Sequence, residues 1–519
     1  MSTRPNAFET LEPRVLFSAK PTLAAIPNQT LLAGSPLHIG LDGFDRDSKK
    51  LRYVVSSSDP RLSATVFTGE RSLALDVKNY GTMKFYLFDR RAGRATGRIT
   101  KLAQSGFYNG VTFHRVINNF VIQAGDPTGT GSGGSTLGDF DDQFHPDLQH
   151  NTTGILSMAK GGDDTNDSQF FITEGPQRSL DFNHTIFGLL VEGESVREAI
   201  SNVPVGANDK PNQNVVITRA RVLKDQQNGV LMLKAPEGYT GNATVSVTAI
   251  DETGKRVTRT FTVNIQADTV DGNAYLNAIP PVVGVAGQSN TFQLSATNVE
   301  GDSVFFDGVV SNTTPPAGFS FDVNNNTGLA TFTAPAGYSG PIDVLVGVRD
   351  QSGANTVDTW DTQVVTLNIV PPDAAGDTLA TARNLGTLGN RLPQGTILDV
   401  VGGSDKVDLY KLRIKKTTAV TFRLANLSAN TDLEVIDARG RVIARSAKPG
   451  LSAEKIRGVA RKGTYYLRVS TDSATNAGYT LSAKGVTARS RAASSTAASA
   501  FAAASPALAA WWDADRRKD

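Results

Sequence analysis

The histidines are the first candidates for chemistry in this chain, because four of the five lie between residues 114 and 184. Imidazole titrates near neutral pH and is the commonest metal-ligating side chain. The four do not form the His-Glu-x-x-His pair of a zinc protease, and they lack metal-ligand spacing and a clear carboxylate partner. The sequence therefore predicts no zinc site. The four histidines are His114, His145, His150 and His184.

A glycine-rich run is the second candidate, since residues 129–134 hold four glycines in six positions. Glycine-rich loops can cradle phosphate groups, but this run lacks a Gly-Lys-Ser/Thr ending and precedes no good helix. The chain also has no Gly-x-Ser-x-Gly elbow and no cysteine. The absence of cysteine excludes a cysteine nucleophile, disulfides and thiolate metal sites. These patterns argue against phosphate binding and against hydrolysis by such nucleophiles.

The elements that must position these residues are predicted to be mostly short strands. Apolar and polar residues alternate from Tyr80 to Phe88, which is typical of a strand with one buried face. Further short strands are predicted at 111–116, 121–125, 155–160 and 168–173. Residues 194–202 could form a helix that begins in an acidic first turn. The segment 76–224 is therefore predicted to be a mainly antiparallel sheet with few helices.

Five motifs in this segment resemble the signature of the cyclophilin-type peptidyl-prolyl cis/trans isomerases. They stand in the family's order and at its spacing, and the segment that holds them is less than a third of the chain. The resemblance implies an eight-stranded antiparallel barrel with two helices, peptidylprolyl isomerase activity and no cofactor or metal. The motifs occupy residues 113–117, 120–126, 154–159, 168–173 and 180–188.

The resemblance also implies a site, carried over residue by residue. Arg115 matches the catalytic arginine, and Gln123 matches the glutamine beside it. The predicted substrate-binding residues form an apolar pocket for the proline ring, contacts to the substrate backbone, and the edges of the pocket. The pocket residues are Phe120, Val121, Phe171 and Leu180. The backbone contacts are Ala159, Lys160 and Gln169, and the edge residues are Gly131 and His184.

The chemistry of proline isomerisation explains these residue types. Rotation about an X–Pro bond breaks amide resonance and meets a barrier of ~18–20 kcal/mol. No bond is cut, so the reaction needs no nucleophile, metal or cofactor. An apolar pocket can hold the proline ring while a guanidinium stabilises the prolyl nitrogen of the twisted amide. The presence of both Arg115 and the pocket residues favours activity.

The composition predicts a multidomain, mainly β protein. A length of 519 residues suggests several domains, and 49 glycines with 7% aromatic residues favour β-rich domains with many turns. A net charge of +2 does not favour nucleic acid as a partner. No stretch reaches the ~20 apolar residues of a transmembrane helix. We expect proline-containing polypeptides as partners, with cell-envelope components as a further partner class.

Two internal repeats predict a pair of immunoglobulin- or cadherin-like β-sandwiches. The motif at 235–241 recurs at 334–340, and the motif at 25–27 recurs at 278–280. The front and back motifs of the first copy are separated by about one isomerase domain more than those of the second copy. We therefore predict that the isomerase is inserted in a loop of the first sandwich, which is tolerated when the guest's termini lie close together. Three unrelated neighbouring domains are the alternative.

The remaining segments are predicted to be a leader, a further β domain and a tail. The motif order of 374–485 resembles the bacterial pre-peptidase C-terminal domain. Within residues 1–22, the segment 8–19 resembles the leader of planctomycete-type surface proteins, with a disordered terminus as the alternative, and 486–519 form an Ala/Ser-rich tail. The other predicted boundaries are 23–75 and 225–268 for the split sandwich, 76–224 for the isomerase, and 277–371 for the second sandwich.

These expectations combine into an extracytoplasmic isomerase that is secreted, periplasmic or attached to the cell surface. It would accelerate X–Pro isomerisation in exported or surface proteins. The alternative is a structural or adhesive surface protein whose cyclophilin-like domain binds Pro-containing segments.

Overall fold

A computed structural model describes residues 19–311, 314–351, 359–372, 375–403, 405–474 and 476–487. Residues 1–18 of the predicted leader and residues 488–519 of the predicted tail lie outside this part of the chain. The described chain is mainly β, as predicted, with α-helices Gly93–Gln104 (α1) and Glu194–Ser201 (α2). Short 3-10 turns lie at Arg178–Leu180 and Ala207–Asp209. Within these ranges, no helix is both long and apolar enough to cross a membrane.

Six short strands open the described chain. In the third of them, Leu37, Ile39 and Leu41 point to one face and are buried, and His38 on the opposite face is buried as well, beside the rings of Phe67 and Phe88. The strands are Thr22–Leu23 (β1), Gln29–Leu32 (β2), Leu37–Leu41 (β3), Gly43–Phe44 (β4), Arg52–Ser57 (β5) and Ser63–Phe67 (β6).

Nine antiparallel strands then form one curved sheet, in the order β10-β11-β13-β12-β14-β8-β7-β15-β9. They are Arg71–Val77 (β7), Gly81–Leu87 (β8), Thr112–Phe113 (β9), Arg115–Ile117 (β10), Val121–Ala124 (β11), Ile155–Met158 (β12), Phe170–Thr173 (β13), Ile186–Glu192 (β14) and Val215–Lys224 (β15). Only His114 separates β9 from β10, so the two edges of the sheet meet. The sheet therefore forms the predicted barrel, with β9 and β10 as one bent strand.

Aromatic and aliphatic side chains fill the barrel. Phe85, Phe113 and Phe170 are fully buried in a single core. The helices close the barrel with apolar faces, as Ile99 of α1 and Ile200 of α2 belong to the same core. The interior is thus occupied by side chains, and the outer face of the barrel is left for binding.

Strands on both sides of the barrel in the sequence belong to the same two sheets. Strand β16 pairs with β3 and β6, β17 pairs with β5, and β18 pairs in parallel with β2. Leu41, Leu231 and Val263 share one core. The chain thus leaves these sheets after β6, forms the barrel and returns at β16. The three later strands are Gly229–Lys234 (β16), Gly241–Ile250 (β17) and Arg256–Gln266 (β18).

A second two-sheet module follows, with sheets β20-β27-β26-β23 and β21-β25-β24. Its core includes Phe332, Val346 and Leu367. Like β2 and β18, its strands β20 and β27 pair in parallel. The strands are Tyr275–Leu276 (β19), Val282–Val285 (β20), Ser289–Gln293 (β21), Ala296–Thr297 (β22), Val304–Val310 (β23), Ser320–Val323 (β24), Leu329–Thr333 (β25), Gly340–Asp350 (β26) and Asp361–Val370 (β27).

The last described module also consists of two sheets, β28-β30-β35-β32-β33 and β29-β36-β31-β34. Tyr410, Phe422 and Leu467 are buried between them. The strands are Arg383–Thr387 (β28), Ile397–Gly402 (β29), Val407–Ile414 (β30), Thr418–Ala425 (β31), Asp432–Asp437 (β32), Val442–Ser446 (β33), Glu454–Ala460 (β34), Gly463–Ser470 (β35) and Asn476–Thr487 (β36).

Candidate active site

Strand register places four side chains in one row across the barrel wall. Arg115 on β10 lies opposite Gln123 on β11, and Gln123 lies opposite Phe171 on β13. Phe171 in turn lies opposite Ser157 on β12. Successive side chains of a strand point to opposite faces, and neighbours of the row such as Ile122 lie in the barrel core. The row, which we call the site row, therefore lies on the outer face of the barrel.

A chain of side-chain amides holds the guanidinium of Arg115 at one end of the site row. Its Nη1 lies 3.5 Å from Oε1 of Gln123, and Nε2 of Gln123 donates to Oε1 of Gln169 at 3.0 Å. Nε2 of Gln169 donates to the carbonyl oxygens of Gly131 (2.9 Å) and Gly133 (2.8 Å). The glycine-rich run thus anchors the amides beside Arg115, while the Arg115 side chain is 40% exposed and open to a ligand.

Asp209 is a site residue that the sequence analysis did not identify. Its Oδ2 lies 3.6 Å from Nε of Arg115, and both side chains are partly exposed. Asp209 is in a 3-10 turn and has a φ of +58°. No motif marks it, because its contact with Arg115 depends on how the 207–209 turn packs against β10. As an exposed ion pair it orients Arg115 weakly.

Phe171 is the buried floor of the apolar region beside Arg115. Its ring meets the ring of His184 edge-on, with centroids 5.4 Å apart, and stacks on the ring of His150 at 5.8 Å. Val121, on the neighbouring strand and the same outer face, is also buried. Neither Phe171 nor Val121 belongs to the barrel core. Side chains outside the barrel core, among them His150 and His184, therefore cover this apolar region of the outer face, which we call the recess.

Phe120 and Leu180 are partly buried and lie at the ends of segments that border this recess. Phe120 comes directly before β11, and its carbonyl oxygen accepts a hydrogen bond from the Glu174 N–H at 3.0 Å. Leu180 ends the 3-10 turn, and its carbonyl oxygen accepts from the His184 N–H at 3.1 Å. Leu180 and His184 are thus parts of one loop.

His184 is held in a fixed orientation at the edge of the recess. Its Nδ1 lies 3.0 Å from the carbonyl oxygen of Met158, so Nδ1 carries the proton and donates. Burial is the main cause that lowers the pKa of His184 to about 4, and the nearby ammonium of Lys160 acts in the same direction. The imidazole is therefore neutral at pH 7 and serves as a shaped wall of the recess.

Lys160 is placed beside the recess, but its ammonium points into an acidic group. The side chain is only 4% exposed, and Nζ donates to Asp142 and lies 3.3 Å from Oδ1 of Asp163. Its neighbour Ala159 donates its N–H to the Gln169 carbonyl oxygen at 3.0 Å. The ammonium of Lys160 is therefore not available to a substrate. The backbone of 159–160 is the group that can contact one.

The same acidic group is the cluster of described residues that could hold a metal ion. Carboxylate oxygens of Asp142, Asp163 and Asp164 lie within 4.8 Å of one another. Burial, together with the charges of the neighbouring carboxylates, raises the pKa of Asp164 to about 7. The ammonium of Lys160 already supplies a positive charge among these carboxylates. The arrangement is that of a buried ion-pair group.

A cleft of about 500 Å³ adjoins the site row and is lined by several of the predicted residues, among them Gln123, Gly131, Ala159, Lys160 and Gln169. The site therefore combines an open guanidinium, an apolar floor and a groove with backbone hydrogen-bonding groups. Such a site can bind an extended peptide with a proline ring on the floor and its amide nitrogen near Arg115.

Comparison with known proteins identifies the family of the barrel. The model of the cyclophilin-type peptidyl-prolyl cis-trans isomerase family matches residues 73–222. Peptidyl-prolyl cis-trans isomerase-like 1 of Aspergillus fumigatus is 45% identical over 158 residues, which are 30% of this chain and 98% of that protein. A peptidyl-prolyl cis-trans isomerase of Schizosaccharomyces pombe is 47% identical over 145 residues, which are 28% of this chain and 94% of that protein.

The crystal structure of a cyclophilin-type isomerase of Cryptosporidium parvum is 36% identical, covers 31% of this chain and 99% of that chain, and has a TM-score of 0.29. The two curated relatives are covered almost entirely by the barrel segment. The chain therefore belongs, through its barrel, to the cyclophilin-type peptidyl-prolyl cis-trans isomerases.

Proposed function

We propose that this protein is a prolyl isomerase of exported or cell-surface proteins and that Arg115 is its catalytic residue. The observation that carries the proposal is the site row, which sets the guanidinium of Arg115 two strands away from the apolar floor made by Phe171. Because the prolyl nitrogen is an atom of the ring itself, a ligand that seats its proline ring on the floor would turn that nitrogen towards the guanidinium.

In this account the protein lowers the rotation barrier by binding the twisted amide better than the planar one. The recess holds the proline ring while the X–Pro bond turns. The prolyl nitrogen gains a lone pair as resonance is lost, and Arg115 then donates its best hydrogen bond to that nitrogen. Gln123 fixes the guanidinium, and the backbone of 159–160 aligns the substrate chain.

The proposed extracytoplasmic location is supported by the composition of the chain and by the modules next to the barrel. The chain has no cysteine to oxidise, and the barrel is flanked in the chain by two-sheet β modules whose sequence motifs resemble those of bacterial surface domains. We propose that the isomerase at 76–224 is an insertion in the sandwich formed by 23–75 and 225–268. The later sandwich and the pre-peptidase-like module would then display it, with cell-envelope components as a further partner class. Surface proteolysis of intact source cells, with a cytoplasmic protein as control, tests this location.

A peptide exchange assay on the full chain tests the enzymatic proposal. Wild type should accelerate cis/trans exchange of an X–Pro peptide measured by NMR, and Arg115→Ala should lose on the order of a hundredfold in rate. Arg219→Ala is the matched control, because Arg219 is an exposed arginine on β15. Wild type that binds the peptide without accelerating exchange would favour the adhesive alternative.

A further inference from the structure

The two loops that border the recess are contacted by residues from outside the barrel. One loop, 178–184, carries Leu180 and His184, and the other, 159–164, carries Ala159 and Lys160. We propose that Asp268, Tyr275 and Thr362, which lie beyond the barrel in the chain, are positioning residues of the isomerase that hold these loops in place.

The first external contact is an ion pair at the start of the 178–184 loop. The guanidinium of Arg178 is 7% exposed and pairs through Nε with Asp181. Its Nη1 lies 3.1 Å from Oδ2 of Asp268, which also accepts from the Ser35 hydroxyl. Asp268 follows β18, the last strand of the first sandwich. The turn that contains Leu180 is therefore held by an ion pair to the first sandwich.

The second contact is aromatic and lies in the middle of the same loop. Phe182 has a φ of +52°, a left-handed conformation that bulky residues rarely adopt. Its ring is buried with its centroid 5.1 Å from that of Tyr275, and both rings pack edge-on against Phe144. Strain of this kind persists where the surroundings over-determine the conformation. Here Tyr275, on β19, supplies part of those surroundings.

The third contact holds the 159–164 loop. Oδ2 of Asp163 accepts hydrogen bonds from the N–H and hydroxyl of Thr362, at 2.9 and 2.5 Å. Thr362 lies on β27 of the second sandwich. The other oxygen of Asp163 pairs with Lys160, so Thr362 fixes the residue that in turn fixes Lys160. Both loops are thus held by groups that a barrel alone does not contain.

A series of contacts also connects Arg178 with Phe171, the floor of the recess. Asp181, which binds Arg178, lies 3.0 Å from Nδ1 of His150. His150 stacks on Phe171, and its Nε2 lies 3.1 Å from the Ser157 hydroxyl. A shift of the 178–181 turn would therefore move the ring that supports Phe171. The positioning residues act through this network and touch neither the reacting bond nor Arg115.

The proposal rests on the proposed function, and its test measures catalysis and peptide binding separately in the full chain. Tyr275→Ala, Asp268→Asn and Thr362→Val should each raise the KM and the Kd for an X–Pro peptide, roughly tenfold for Tyr275→Ala, with kcat near that of wild type. Tyr275→Phe should restore wild-type values, because the ring packing is retained.

Val344→Ala is the control, since Val344 is buried in the core of the second sandwich and does not belong to the barrel core. It should lower the stability of that module and leave KM unchanged. Folding of each variant is checked by circular dichroism, and if Tyr275→Ala does not fold, Asp268→Asn and Thr362→Val decide. Folded variants with wild-type KM and Kd would overturn the proposal. A wild type that binds but does not isomerise would overturn the proposed function alone, because Kd still reports on the loops.

Discussion

The site row and the loops that border it are held in place by different forces. Backbone hydrogen bonds of four adjacent strands fix the site row, so Arg115 and Phe171 keep their separation wherever the barrel forms. The loops 159–164 and 178–184 depend on side-chain contacts, and part of these come from other modules. The comparison suggests that the chemistry belongs to the barrel, whereas substrate placement is shared with its neighbours.

Removing the floor of the site row should give the largest effect. Phe171→Ala is expected to lower the stability of the barrel by about 3–5 kcal/mol, because it leaves a cavity under the recess. The catalysed rate of cis/trans exchange should fall below the detection limit of the exchange assay at low enzyme concentration. Urea unfolding monitored by barrel amide signals in NMR measures the stability. Phe332→Ala, a buried phenylalanine of the second sandwich, should leave the barrel signals unchanged, and a barrel that is equally stable in Phe171→Ala would contradict the account.

Weakening the contacts between the 178–184 loop and the residues that support Phe171 should give the second largest effect. Asp181→Asn leaves the buried Arg178 and His150 with a neutral partner, and we expect a loss of about 3 kcal/mol from the barrel. The same NMR unfolding experiment applies. Asp141→Asn removes the charge of an exposed carboxylate of the barrel segment that pairs with Arg94, so this variant serves as the control and should change little. An effect no larger than the control would mean that the loop is not coupled to the floor.

The free energy of unfolding should depend on pH partly through His184, and this contribution can be measured by replacing that residue. Its pKa is lowered from 6.5 to about 4 on folding, so the unfolded chain binds a proton more readily than the folded chain. The contribution of His184 is fully present above pH 6.5 and is lost as the pH falls towards 4. His184→Gln should therefore flatten this part of the curve of unfolding free energy against pH. A curve of unchanged slope in the variant would argue against the buried, neutral imidazole.

The ion pair at Arg115 should give the smallest effect. Asp209→Asn is expected to change kcat/KM by no more than about twofold, because both side chains are partly exposed. The difference from wild type should shrink further in high salt. Exchange rates at low and high salt measure this. A tenfold change would give Asp209 a direct part in catalysis.

Arg115, Gln123 and Phe171 of the site row could be named from the sequence because they lie in local motifs that resemble the family's, whereas Ser157 was not named. The mainly β fold and the isomerase family were predicted for the same reason, and both are confirmed. The sequence could not show that the Lys160 ammonium points into Asp142 and Asp163, or that Asp209 reaches Arg115. Those contacts join residues that share no motif, and their geometry depends on how separate loops pack.

The loops were harder still to predict. Phe182 lies beside Leu180 in a motif, yet neither its positive φ nor its packing on Tyr275 has a signal in the sequence. The ion pair of Arg178 with Asp268 joins two modules, so it emerges only from the arrangement of both. Residues that position a site from another module carry no motif of the reaction they serve.

The division between site row and loops is tested most directly by measuring kcat and KM of the full chain for one X–Pro peptide, in wild type, Arg115→Ala and Tyr275→Ala. The account predicts that Arg115→Ala lowers kcat by on the order of a hundredfold with KM nearly unchanged, and that Tyr275→Ala raises KM with kcat retained. Two folded variants that change the same parameter, or an Arg115→Ala variant as active as wild type, would contradict it.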